Sequence, residues 1–156
     1  MTGTAVLGVD MGGTKIAAGI VDTRTGAILA RETIPTGATR PPAAILDDVV
    51  ALANGLADQA SRQGHAVQRI GLGVPQLVDN AGRIRSAHGF DWTDQPVIAR
   101  LSAIAPATIE SDVRAGALAE ARFGAGRGLA SFAYVTIGTG VSYCLVIDSK
   151  PHAGAN

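Results

Sequence analysis

An α/β fold is predicted for this chain, because apolar strand-like runs alternate with stretches of helical periodicity. Apolar runs over residues 4–10, 16–22 and 27–34 are separated by turns that contain glycine, which predicts a three-stranded antiparallel meander. Residues 42–63 and the stretch before Gly124 have helical spacing instead. This order predicts a mixed sheet flanked by helices.

The first predicted helix begins at Pro41-Pro42 and ends before Gly64. Its apolar side chains recur at helical spacing, at Ile45, Val49, Leu52 and Leu56, as expected of a helix with one face in a core. An apolar strand is predicted at residues 68–74. Thr93 or Asp94 is then expected to cap a short helix, which is followed by a strand at 107–109.

The last third of the chain predicts one more helix and two more strands. Ser111 or Asp112 begins the helix, and Gly124 ends it. Strands at 132–137 and 141–147 enclose Gly138-Thr139-Gly140. This strand, glycine turn, strand order repeats the plan of residues 4–22.

Composition excludes several classes of protein. No apolar stretch reaches membrane-spanning length, and no basic region precedes an apolar core at the N-terminus, so we expect a cytoplasmic protein without a membrane partner. Lys+Arg and Asp+Glu are both 13, and this balance gives no electrostatic reason to expect nucleic acid. Cys144 is the only cysteine, which excludes an internal disulfide and favours a small buried strand residue.

The hairpin around residue 12 carries groups that suit phosphate. Gly12 and Gly13 can adopt positive φ and let backbone N–H groups approach an anion. Asp10 can hold Mg²⁺ directly or through water, while the following residues offer a hydroxyl, at Thr14, and a positive charge, at Lys15. The order Thr-Lys and the apolar strand after it are not those of a Walker A loop. A glycine hairpin with no function is the alternative.

The second glycine turn offers a matching set of groups. Gly138 and Gly140 allow close backbone approach, and Thr139 offers a hydroxyl. A turn with no function is again the alternative. Because two such turns occur in one chain, we predict that both contact phosphate.

Four blocks of sequence together resemble the ROK family of sugar kinases and sugar-responsive repressors. This family belongs to the superfold that sugar kinases share with actin and chaperone ATPases, in which a ribonuclease H-like lobe is paired with a second lobe. The blocks are LGVDMGGTKIAAGIVD (7–22), GLGVPQLVD (71–79), SDVRAGALAEARFGAGRG (111–128) and YVTIGTG (134–140).

The resemblance implies ATP- and Mg²⁺-dependent phosphorylation of a hexose or hexose derivative. Asp112 matches the family's catalytic carboxylate, which takes a proton from the sugar hydroxyl. An aspartate in the first turn of a helix can equally serve to stabilise that helix. The resemblance also implies sugar contacts at Gly73, His88, Ser111 and Asp112, and no zinc site within this chain.

Several positions depart from the family pattern. Gln76 replaces the usual glycine after Pro75, and Ser111 replaces asparagine. His88 stands where kinase members carry asparagine, and is either a sugar ligand or an exposed loop residue. Ser142-Tyr143-Cys144 replaces glycine-rich sequence. Trp92 is expected to pack its loop against the following helix.

Family members are about twice as long as these 156 residues. By resemblance, residues 1–124 form the N-terminal lobe and residues 125–156 begin a second nucleotide-binding lobe, so a fragment or truncated gene product is expected, weakly active by itself. A homodimer is possible. The alternatives are a sugar-responsive regulator without its DNA-binding domain and a non-catalytic remnant.

Overall fold

The computed structural model describes residues 3–138 and 140–154. Their elements alternate between strands and helices, in the order β1 (Gly3–Met11), β2 (Lys15–Asp22), β3 (Ile28–Pro35), α1 (Pro42–Arg62), β4 (His65–Val74), α2 (Val97–Ser102), β5 (Ala107–Ser111), α3 (Asp112–Phe123), β6 (Ser131–Ile137), β7 (Val141–Ile147) and β8 (Lys150–Pro151). Within these residues, no helix is both long and apolar enough to cross a lipid bilayer.

The first sheet is mixed, with strand order β3-β2-β1-β4-β5. Strands β1, β2 and β3 form the predicted antiparallel meander, while β1 pairs with β4, and β4 with β5, in parallel. Parallel strands have their carboxyl ends at one edge of the sheet. The residues that follow β1, β4 and β5 therefore meet at that edge.

Helix α1 covers one face of this sheet. Its buried side chains include those predicted from helical spacing, Ile45, Val49, Leu52 and Leu56. Pro42 occupies its first turn, where the missing N–H has no intrahelical partner to lose and the fixed φ suits a helix. The core that α1 closes is apolar on the strand side as well, with Leu7 and Ile20 fully buried.

The start of β4, the cap of α2 and strand β8 are among the features that differ from the sequence prediction. Strand β4 begins at His65 rather than residue 68, because residues 65–67 already pair with the start of β1. Helix α2 is preceded by Pro96, and neither Thr93 nor Asp94 caps it; the Thr93 hydroxyl and amide instead both donate to Asp91 Oδ1. The two-residue strand β8 was not predicted.

The second sheet has the order β6-β7-β8 and is antiparallel. Helix α3 packs on one face, where Ala117, Cys144 and Val146 are buried together, so the prediction of a buried Cys144 is confirmed. The opposite face is apolar and exposed, and its side chains are those of Val135, Ile137, Val141, Tyr143, Leu145 and Ile147.

The loop after β4 is held by Asp79. Its Oδ1 accepts the backbone N–H groups of Ala81 and Arg83, and its Oδ2 accepts the side chains of Arg83 and Arg85 at 2.9 and 2.8 Å. These donors, chiefly the backbone N–H of Arg83, hold the pKa of Asp79 far below its usual range.

We expect Asp79→Asn to destabilise the chain in a pH-dependent way. Because the folded pKa of Asp79 is depressed, its contribution is present above the unfolded pKa, about 4, and is lost as pH falls toward the folded value. Urea unfolding at pH 7 and at pH 3 measures this. The stability difference between wild type and variant is expected to be smaller at pH 3, and an equal difference at both would contradict the account.

Candidate active site

Asp10, Gly73 and Asp112 lie together at the carboxyl edge of the first sheet. Asp10 and Gly73 are register partners in the β1–β4 pair, and Val74 is paired with Ser111, immediately before Asp112. A Cβ placed on Gly73 would lie 3.8 Å from Asp10 Oδ1 and 3.6 Å from Asp112 Cα. Without a side chain, Gly73 leaves open the space beside Asp10 Oδ1 and the backbone of Asp112.

Burial and the neighbouring Asp112 carboxylate both act on the ionisation of Asp10. Partial shielding from water raises the pKa of Asp10, and the neighbouring Asp112 carboxylate raises it further, while Lys15 acts in the opposite direction. Two like charges at short range repel, and a cation between or beside them relieves that repulsion. The arrangement therefore favours a bound cation.

Asp112 begins helix α3 and remains accessible. Ser111 is the residue before the helix, in extended conformation, and its side chain forms no capping hydrogen bond. Asp112 Oδ1 accepts the N–H of Val113 at 2.6 Å, so this carboxylate does stabilise the first turn, as one sequence interpretation expected. The Asp112 residue is nevertheless exposed, and the two roles are compatible.

The first glycine hairpin is closed by backbone and side-chain hydrogen bonds. Gly12 N–H donates to Lys15 O at 2.8 Å. Gly12 and Gly13 are not among the glycines with positive φ, which corrects the sequence argument. Gly12 is needed instead because a Cβ there would lie 3.0 Å from Lys15 O. Thr14 and Lys15 are exposed at the tip.

Thr36 supports this hairpin from the end of β3. It is fully buried, its hydroxyl donates to Gly12 O at 2.7 Å, and its N–H donates to Thr14 O at 3.0 Å. Sequence analysis missed Thr36, because a single threonine after a strand has no motif around it. The hairpin is thus held from behind while its tip faces solvent.

The second glycine turn joins β6 to β7. Gly138 N–H donates to Gly140 O at 2.9 Å, and both glycines lie in the predicted connection between paired strands. Thr139, the third predicted phosphate contact of this turn, lies outside the described residues. No contact between the two glycine turns is described.

The predicted sugar contacts do not all converge. Ser111 lines a cleft of about 800 Å³ between the loop after β4, helix α3 and strand β7, whereas Asp112 and Gly73 line a cleft of about 640 Å³ between the two sheets. His88 is exposed on its loop and lines neither cleft. Trp92, predicted to pack its loop against the following helix, is buried in the same apolar core as Val97 and Leu101 of α2, and its indole N–H donates to Pro42 O of α1 at 3.0 Å.

Arg114 was also missed by sequence analysis. Its Nε donates to Glu110 Oε1 at 2.6 Å, and its guanidinium also donates to Val78 O and, at 3.5 Å, to Ala153 O. These partners belong to the end of β5, the loop after β4 and the segment after β8. Arg114 therefore joins the two sheets beside Ser111 and Asp112.

The residues present fit a magnesium ion that is shared with phosphate. In the described part of the chain, no three His, Cys, Asp or Glu side chains cluster closely enough to hold a metal by themselves. Mg²⁺ in phosphoryl-transfer sites commonly uses one or two carboxylates and takes its other ligands from substrate phosphates and water. Asp10, with Asp112 nearby, supplies such a carboxylate at an exposed edge.

The order of elements and the carboxylates at the strand ends define an actin-like ATPase fold with a candidate phosphoryl-transfer site. The model of the ROK family matches residues 6–156, and the chain therefore belongs to the ROK family. It is 34% identical over 151 residues to a glucokinase of Streptomyces coelicolor, covering 95% of this chain and 45% of that protein.

Solved structures agree with this assignment. A ROK family glucokinase from Streptomyces griseus, in complex with glucose and AMPPNP, has a TM-score of 0.83 and 33% identity over 97% of this chain and 47% of that one. A ROK family transcriptional regulator, a homolog of the E. coli MLC protein, has a TM-score of 0.85 at 19% identity, over 97% of this chain and 39% of that one, and shows the shared fold alone. The chain spans about half the length of the two Streptomyces glucokinases.

We expect Asp112→Asn to lower the pKa of Asp10, because the neighbouring carboxylate raises it. Lys15→Met is expected to raise the pKa of Asp10, since Lys15 lowers it. Carboxyl ¹³C NMR titration of each variant measures both shifts. Glu110→Gln is the matched control, and an Asp10 pKa that follows Glu110 instead of Asp112 would disprove the coupling.

Thr36→Val is expected to loosen the first glycine hairpin while it preserves side-chain volume. Loss of the hydroxyl leaves Gly12 O without its donor in a buried position, a change of about 1 kcal/mol or more, so the protected amide of Gly12 should exchange about fivefold faster. Amide hydrogen exchange by NMR is the measurement. Thr33→Val, on the exposed face of β3, is the control, and equal exchange in both variants would refute a supporting role for Thr36.

Proposed function

We propose that the protein is an ATP-dependent sugar kinase that phosphorylates a hexose or hexose derivative. The observation that carries this proposal is that Asp10 and Asp112 are both exposed at one sheet edge, where Gly73 leaves open the space beside Asp10 Oδ1 and the Asp112 backbone. The similarity to a Streptomyces glucokinase over 95% of the chain supports a sugar as acceptor. Glucose and AMPPNP, which the Streptomyces griseus relative binds, support the same two classes of substrate.

In the proposed reaction, Asp112 orients the sugar hydroxyl and takes its proton. The hydroxyl oxygen bonds to the γ-phosphorus as the bond to the bridging oxygen of ADP breaks, so the products are a sugar phosphate and ADP. The N–H of Val113, in the first turn of α3, donates to Asp112 Oδ1 and holds this carboxylate in place. An exposed carboxylate is suited to this role because the hydroxyl must reach it within hydrogen-bond distance.

Asp10 and the glycine turns are proposed to hold the phosphates. Mg²⁺, when bound at Asp10, neutralises phosphate charge during transfer. Lys15 and the backbone of Gly12, Gly13 and Thr14 approach the phosphates from the first hairpin, and Gly138, Thr139 and Gly140 approach from the second. The exposure of Thr14 and Lys15 at the hairpin tip supports this assignment.

The sugar is proposed to contact Gly73, His88, Ser111 and Asp112. Ser111 supports this through its place in the cleft between α3 and the loop after β4. His88 is exposed and can both donate and accept a hydrogen bond when neutral. For His88 to contact the sugar, the same sugar molecule must reach both Asp112 at the sheet edge and this loop.

We further propose that residues 1–124 form the first lobe and that residues 125–156 begin the second. The exposed apolar face of β6 and β7 supports this, because a contiguous surface of large apolar side chains such as Ile137, at 84% exposure, ordinarily packs against further polypeptide. The chain of 156 residues by itself is expected to turn over substrate weakly.

Phosphorylation of a hexose and N-acetylhexosamine panel by the product of the complete reading frame tests the proposed function. We expect ATP- and Mg²⁺-dependent turnover of one sugar, and a loss of at least about 100-fold in kcat on Asp112→Asn, because general-base contributions are about 10²–10⁴. Asp58→Asn, which changes an exposed carboxylate of α1, is the control. Absence of turnover on every sugar by folded wild-type protein would overturn the kinase assignment.

A further inference from the structure

Gln76 is a buried polar residue two residues after the end of β4. Its side chain is 1% exposed, its Nε2 donates to Phe90 O at 2.9 Å, and its Oε1 is buried without a hydrogen-bond partner among the described residues. Burying an amide with one end unpaired is costly compared with burying an apolar side chain of similar size. The bond to Phe90 is therefore the specific contribution that a glutamine makes at this position.

The next residue, Leu77, makes two backbone contacts to the same loop. Leu77 N–H donates to Ser86 Oγ at 2.9 Å, and Leu77 O accepts Arg85 N–H at 2.8 Å. Gln76 and Leu77 thus hold the loop at Ser86 and at Phe90. His88 lies midway between these two attachment points.

The far side of the loop is anchored separately. Phe90 and Trp92 pack edge to face with ring centroids 4.8 Å apart, and Trp92 donates to Pro42 O of α1. Gly89 adopts φ of +79°, which turns the chain sharply next to His88. His88 itself is exposed, so its position depends on the residues that hold the loop on either side.

We propose that Gln76 is a positioning residue for sugar recognition, because its amide fixes the 86–90 loop and thereby His88 at the sugar. This inference rests on the proposed function for its ligand, a hexose. Only a side chain with both the length of glutamine and an N–H donor meets the Phe90 carbonyl in this way. Glutamate lacks the donor when ionised, and methionine has the length without the donor.

Acrylamide quenching of tryptophan fluorescence tests the loop directly. Trp92 is the only tryptophan among the 156 residues and is buried, so its fluorescence reports on this loop alone. Gln76→Met, which keeps the volume and removes the hydrogen bond, is expected to raise the quenching constant several-fold. Quenching equal to that of the wild-type chain would overturn the inference.

A control variant separates loop release from general destabilisation. Leu56→Ala removes a fully buried side chain of α1 that lies about 21 Å along the helix from Pro42. It is expected to lower the free energy of unfolding at least as much as Gln76→Met and to leave Trp92 quenching unchanged. An equal rise in quenching in both variants would show that Gln76 has no specific effect on the loop, and would overturn the inference.

Sugar binding tests the connection to His88. In the product of the complete reading frame, calorimetry measures the Kd for the sugar that the panel selects, with glucose as the first probe, and the Kd for ATP. We expect Gln76→Met and His88→Ala each to raise the sugar Kd about tenfold, with the ATP Kd unchanged. The double variant should be no weaker than His88→Ala, because Gln76 acts through His88.

Additive effects of the two substitutions on the sugar Kd, or an equal loss of ATP affinity, would overturn the inference. These measurements distinguish a failure of the Gln76 inference from a failure of the proposed function. A protein that binds the sugar but transfers no phosphate leaves the Gln76 inference supported by the coupled Kd values and removes the kinase assignment. A kinase whose sugar Kd is insensitive to Gln76→Met would keep the kinase assignment and overturn the Gln76 inference.

Discussion

The parallel pairing of β1, β4 and β5 is the constraint on which the candidate site depends. It brings the ends of three strands that are far apart in sequence to one edge. Asp10 is the register partner of Gly73, and Val74 is the register partner of Ser111. A slip of one residue in β4 would turn every side chain of that strand to the other face. The apolar alternation of β4, with Ile70, Leu72 and Val74 buried, prevents such a slip.

The site also contains an electrostatic conflict that suits phosphoryl transfer. Burial and the neighbouring Asp112 carboxylate both make Asp10 costly to ionise, and its pKa is raised. Lys15 from the hairpin reduces that cost but does not remove it. A divalent cation with phosphate ligands would remove the conflict when substrate is present, and the hairpin that supplies Lys15 is held by the buried Thr36.

Much of the fold could be predicted from sequence because its signals are local. The meander, α1 and α3 follow from periodicity and from turn residues. The first residues of β4 could not be predicted, since residues 65–67 join the strand through their pairing with the start of β1, which is distant in sequence. The predicted cap of α2 was wrong because Thr93 instead donates hydrogen bonds to the side chain of Asp91 in a separate turn.

The candidate site was predictable only where a motif surrounds the residue. Asp10, Gly73 and Asp112 come together as the family resemblance implies, and their meeting at one edge follows from parallel pairing. The supports of the site, Thr36 and Arg114, act through contacts between residues distant in sequence, and no local pattern identifies such contacts. For His88 the motif alone is not enough. Its position in the motif predicts a sugar ligand, whereas the structure places it exposed on a loop.

Paramagnetic broadening by Mn²⁺ in the presence of ATP tests most directly whether this sheet edge is the reacting centre. In the product of the complete reading frame, the account predicts selective loss of amide NMR signals from the first hairpin and from the residues around Gly73 and Asp112, reversed by excess Mg²⁺. Signals of α1 near Leu56 should persist. Broadening centred on another part of the chain, with the Asp10 and Asp112 signals intact, would contradict the account.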